Sequence, residues 1–193
     1  VHSGGNSVSL TTPDSNPASN RTVKFPDASG VLALTNGITE CDLWYLSSSL
    51  WDTNNANITS WSRFTQSNVS AASPLGTGMS HSSGTFSFPS TGKYLVILNA
   101  DLLLVQNDNV LIDTRVTIDN STYVPYTTAR DGNSASNTIA GSGVSFAFID
   151  VTNTSNVKVQ FYAKSINSGS QVLGYDASHG MGTSALFIRL GDT

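Results

Sequence analysis

The sequence predicts an all-β protein whose main body is one antiparallel β-sandwich. Three observations carry this. Ser, Thr, Asn and Gly dominate, charged residues make up 11% and Glu40 is the lone glutamate, so the residues that favour exposed helical faces are nearly absent. Short apolar runs recur with strand-like alternation, separated by Gly, Asn, Asp and Ser clusters. From Gly84 to Leu190 these runs come at close spacing, as in a sandwich or jelly roll.

The strands of that run are expected at Thr85 to Phe88, Lys93 to Val105, Val110 to Ile118, Tyr123 to Thr128, Val144 to Val151, Val157 to Lys164, Val172 to Tyr175 and Thr183 to Leu190. Within the second, Tyr94 to Leu98 and Leu102 to Val105 are too continuously apolar for a strand with one wet face. Both faces should therefore be covered, one of them by another chain or another part of this one. Upstream, Leu43 to Leu46 and Ile58 to Phe64 are weaker strand candidates.

A different rhythm marks the first 37 residues. Three strands of five or six residues are implied, around Val8 and Leu10, Val23 and Phe25, and Leu32 and Leu34, with Pro13, Pro17 and Pro26 forbidding longer ladders. Residues 1–37 form a small β-module and 38–193 the sandwich domain, and the module has too little core to stand without a neighbour or copies of itself.

Composition narrows the partners. The net charge is −4, and the nine Lys and Arg are scattered singly, giving no basic stripe for nucleic acid or anionic lipid. No run approaches the ~20 apolar residues of a membrane-spanning helix. The sequence starts at Val1 with no signal-peptide pattern, as expected after processing or for a piece of a longer protein. Cys41, the single cysteine, cannot form an internal disulfide.

Catalytic and metal signatures are weak. His2, His81 and His179 lack any HxH, HxxxH or HExxH spacing, and Cys41 has no neighbouring histidine to act as its base. Asp101, Asp108, Asp113, Asp119 and Asp150 are the carboxylates that calcium or glycoside hydrolysis would recruit, yet no DxDxDG run exists and Asp is a common turn residue. A polysaccharide-degrading reading would rest on Asp108 and Asp150. Gly141-Ser142-Gly143 lacks the lysine of a phosphate loop. Trp44, Trp51 and Trp61 suit core or interface anchoring better than sugar stacking. Sequons at Asn20, Asn57, Asn68, Asn120 and Asn153 are expected by chance in so Asn-, Ser- and Thr-rich a chain. No enzyme activity, cofactor or metal is implied.

The segment Phe88-Pro89-Ser90-Thr91-Gly92-Lys93-Tyr94 resembles the aromatic-Pro-x-x-Gly-x-Tyr motif of the complement-type and tumour-necrosis-factor-like jelly roll. Gly141 to Val151, Val157 to Tyr162 and Thr183 to Leu190 resemble later strands of that family, so the likeness spans Leu43 to Leu190. Asn153-Thr154-Ser155-Asn156 departs from the Gly-Asp turn usual in animal members. Leu10 to Pro13 and Asn20 to Thr35, with the core Arg21-Thr22-Val23-Lys24-Phe25-Pro26-Asp27-Ala28-Ser29-Gly30, resemble a linker module of tailed-phage fibre and appendage proteins.

Those resemblances imply a homotrimer and a particular setting: a virion structural protein, a fibre or head/tail appendage joined to other virion proteins through residues 1–37, whose knob meets a host surface glycan or protein. Capsid decoration by the same fold is one alternative, and a secreted ligand acting outside the cell is another. Tyr94, Phe161, Tyr162, Phe187 and Ile188 are the expected three-fold contacts, of which alternation allows about half. Host contacts are expected in loops, at Asp108, Asn109, Asn120, Arg130, Asn133 and Asn167.

Overall fold

Alternating burial along nearly every long strand builds the protein's two-layer architecture. The computed structural model describes residues 37–65, 74–167, 169–178 and 180–193. The expected strands of the first module, His2, His179 and the sequons at Asn20 and Asn68 lie outside the described residues.

Among the described residues there are thirteen strands and no helix: β1 (Cys41–Leu46), β2 (Leu50–Trp51), β3 (Ala56–Asn57), β4 (Trp61–Arg63), β5 (Ser80–Ser82), β6 (Thr85–Ser87), β7 (Gly92–Leu104), β8 (Asn109–Thr117), β9 (Val124–Gly132), β10 (Ile139–Val151), β11 (Lys158–Lys164), β12 (Gln171–Val172) and β13 (Ser184–Gly191). All pairings are antiparallel. Sheet A runs β10, β7, β13, β1, β4, with β12 and β2 continuing beside the far end of β7. Sheet B runs β5, β6, β11, β8, β9, with β3 beside the end of β11. The chain crosses repeatedly between the sheets, as a jelly roll does.

The core lies between them. Trp44, Trp61, Phe86, Phe161 and Phe187 form its aromatic centre, with Phe86 5.0 Å from Phe187 and 5.6 Å from Phe161 between ring centroids. Each such pair adds about 1 kcal/mol beyond the area it buries.

The Phe88 to Tyr94 motif has a local cause. Gly92 adopts φ 141°, and a Cβ there would come within 2.5 Å of the Gly191 carbonyl oxygen. Glycine alone tolerates both. The turn is closed by the Tyr94 hydroxyl, 2.9 Å from Ser90 Oγ, and by the Phe88 ring, 4.7 Å from that of Tyr94. Burial pushes the Tyr94 phenol up from its ordinary value.

Two strands run longer than their hydrophobicity predicts. β10 starts at Ile139 rather than Val144 because Ala140 to Gly143 pair with Ala100 to Leu103 of β7. There, backbone pairing replaces side-chain pattern, and Gly143 admits the Arg130 backbone, whose nitrogen would lie 2.7 Å from an added Cβ. β9 continues to Gly132 through pairing with β8. Conversely, the strand expected at Val172 to Tyr175 shrinks to Gln171–Val172.

Candidate interaction surface

The outward face of sheet A is apolar where a solvated sheet face would be polar. Cross-strand register sets its side chains in rows. Cys41, Ile188, Leu95 and Phe148 form one; Leu43, Leu186, Ile97 and Phe146 the next; Tyr45, Ser184, Asn99 and Val144 a third. Phe146 and Phe148 are 60% and 54% exposed, while Leu43, Leu95, Ile97, Leu186 and Ile188 are half-buried. Beside the third row, Tyr45, Phe64, Tyr175 and Met181 line an open cavity of about 300 Å³. The continuous apolar runs of β7 thus have one face in the core and the other on this apolar surface.

The expected three-fold contacts divide by strand parity. Tyr94, Phe161 and Phe187 point into the protomer's own core and are at most 1% exposed, so they are not available to a partner. Tyr162 lies on the outward face of sheet B beneath the Arg115 guanidinium, 3.3 Å from the ring centroid. Ile188 alone of the five sits on the exposed apolar face. Phe146, Phe148 and Leu186 were missed, although the alternation of β10 encodes the first two: Ser145, Ala147 and Ile149 face inward, so their neighbours face out.

The expected loop contacts also separate. β7 ends and β8 begins at one end of the sandwich, where β9 ends and β11 ends too, so Asp108, Asn109, Arg130, Asn133 and Asn167 gather there. Asn120 lies at the opposite end, where β1 begins and β13 ends. Asp108 and Asn133 are buried and hold the loops together. The Asp108 carboxylate accepts from the Asn109 and Asn167 backbone N–H groups at 2.8 and 3.2 Å, and its carbonyl accepts from Asn133 N–H at 2.8 Å. Asn109, Arg130 and Asn167 remain exposed.

Asp108 and Asp150 cannot act as a catalytic pair. They mark opposite ends of the β7–β10 ladder, roughly 30 Å apart at the rise of a strand, whereas hydrolysis needs roughly 5–10 Å. Asp150 is ion-paired with Lys93. The Asp119 carboxyl, held well below its ordinary range first by the Thr122 N–H and then by Thr117 and Ser121, caps a turn. Among the described residues no three His, Cys, Asp or Glu converge as metal ligands would. Trp44 and Trp61 are core residues and Trp51 is 58% exposed.

No family model and no curated protein matches the chain. Solved structures do. Eiger TNF from S. frugiperda superposes with a TM-score of 0.60 at 12% identity, covering 82% of this chain and 96% of that one. The fold is a TNF-like jelly roll. Murine APRIL shares it, with TM-scores of 0.54 for the pH 5.0 structure and 0.52 for that at pH 8.5, each at 12% identity over 78% of this chain and 98% of that one. At such identity the likeness concerns the TNF-like architecture, which the Phe88 to Tyr94 turn had foreshadowed, and it extends to no ligand or receptor site.

Proposed function

We propose that the protein is a non-catalytic binding module that works as a homotrimer, with the outward face of sheet A buried at the three-fold axis. The observation that carries this is the apolar grid centred on Leu43, Leu186, Ile97 and Phe146, an uncovered continuous patch of a kind monomers seldom expose. Closed three-fold packing removes it from water without leaving an open edge for further growth. Three copies then present three sets of loops, so weak contacts add through effective concentration.

Sedimentation equilibrium at micromolar concentration tests this. A mass three times the 20.3 kDa of one chain is expected. Phe146→Asp should yield a folded monomer. A monomeric parent chain would overturn the reading.

The setting we propose is a virion, as a fibre, an appendage or a capsid decoration protein displaying the jelly roll toward the host, with residues 1–37 joining other virion proteins. The phage-like sequence of that first segment supports it. Antibody labelling of particles, seen by electron microscopy, should decorate tail, appendage or capsid; unlabelled particles would count against it. A secreted ligand is the second reading, favoured by the fold shared with Eiger and APRIL. Receptor clustering by the soluble trimer on animal cells would support that reading.

A further inference from the structure

Positive charge that lacks a carboxylate of its own is concentrated on the outward face of sheet B. Beyond Arg21 and Lys24, which lie outside the described residues, the chain has seven Lys and Arg. Three lie elsewhere and each is ion-paired: Arg63 with Asp42, Lys93 with Asp150 and Arg189 with Asp192. The other four, Arg115, Arg130, Lys158 and Lys164, all project from the outward face of β8, β9 and β11.

One carboxylate serves them. Asp113 takes Lys164 Nζ at 2.6 Å and a hydrogen bond from Thr128 Oγ1 at 2.8 Å, while Arg115 Nε stays 4.0 Å away, beyond hydrogen-bonding distance. Arg115 Cζ sits over the Tyr162 ring, which orders its fork in advance. Lys158 donates to the Thr154 carbonyl at 2.7 Å, and Arg130 has no carboxylate partner among the described residues. In a protein of net charge −4 this face carries a local surplus of three positive charges.

We propose that this face binds a linear acidic polysaccharide, a polyuronate whose carboxylates meet Arg115, Arg130 and Lys158 while a hydroxyl meets the exposed Thr128. The proposal deepens the reading of the protein as a surface-binding trimer, since burying sheet A leaves sheet B outward. The face is a strand surface, which suits an extended chain. Lys164 and Arg130 flank Leu111 in one row, roughly 9–10 Å apart at the spacing of strands, so successive anionic residues can be engaged across the sheet. Four cations are too few for the dense phosphates of nucleic acid. Carboxylates approached in the plane of an arginine gain paired, charge-assisted hydrogen bonds.

The full chain is titrated calorimetrically with oligogalacturonate, and with neutral dextran as control, at 20 and 200 mM NaCl. Saturable binding to oligogalacturonate alone, weakened at least fivefold by the higher salt, is expected. The double variant Arg130→Gln, Lys158→Gln removes one exposed and one half-buried cation and should bind at least fivefold more weakly while remaining folded, as judged by a cooperative melt; Arg115→Gln should add a further loss. Absent binding, equal binding to dextran, or a double variant that binds like the parent would overturn the proposal. Phe146→Asp separates it from the trimer reading: that variant should keep the per-chain affinity for short oligomers whatever its mass, and loss of binding in a folded variant would overturn the placement on sheet B.

Discussion

The Tyr126 hydroxyl of β9 donates to the Phe148 carbonyl of β10 at 3.0 Å, tying the edge of sheet B to the edge of sheet A. β10 pairs with β7 on one side, and its other edge would otherwise offer open acceptors to any passing strand. Tyr126→Phe deletes the bond and keeps the ring. A loss of about 1 kcal/mol in urea denaturation is expected, with greater amide exchange in β10.

Asp42 holds three elements together. Its carboxylate accepts from Trp44 Nε1 at 2.8 Å, from the Met79 N–H at 2.7 Å and from Arg63, whose guanidinium also reaches the Met79 carbonyl. Asp42 is 3% exposed, so truncation strands buried donors and a partly buried cation. Asp42→Ala should cost about 3–5 kcal/mol by chemical denaturation. Arg63→Ala should cost less, because Arg63 is partly in solvent.

Gly92→Ala should destabilise by about 2 kcal/mol or more, since φ 141° and the Gly191 carbonyl both oppose a side chain. Thermal melting checks it. Ala at Gly191, where a Cβ meets open space, is the control and should change little.

His81 makes stability depend on pH. Its neutral Nε2 accepts from the Gly84 N–H at 3.0 Å, and its ring lies 4.8 Å from Phe86 and 5.5 Å from Trp44. Burial lowers its pKa below the ordinary 6.5. The unfolded chain therefore takes up a proton that the folded one refuses, so this contribution is complete above pH 6.5 and is lost as pH falls below it. Urea midpoints should decline from pH 7 to pH 5. His81→Gln should flatten the part due to this residue.

Much of the fold was legible because core strands advertise themselves by alternation. The Phe88 to Tyr94 turn was legible as a resemblance to a jelly-roll motif, and the structure supplies its local causes, a glycine at a strained φ and a tyrosine folded back on Ser90. β10 before Val144 was not, because Gly141 and Gly143 have no side chains to pattern and are strand only through pairing with β7. The exposed face illustrates a further limit. That β7 is apolar on both faces followed from its runs, but which of Tyr94, Phe187 or Ile188 points into the core depends on parity against distant strands. One residue of misjudged parity moves an aromatic side chain from the protomer's core to its exterior.

β7 is apolar on both of its faces. Tyr94, Val96, Leu98, Ala100, Leu102 and Leu104 face the sandwich core, while Leu95, Ile97 and Leu103 face outward with Asn99 and Asp101 among them. Were the outward set uniformly apolar, the strand could slip by one residue and exchange its faces at little cost. Asn99 and Asp101 forbid it: a slipped ladder would bring an amide and a carboxylate into the dry core. Two polar residues that interrupt the apolar run thus serve as register pins, guarding the strand against misfolding.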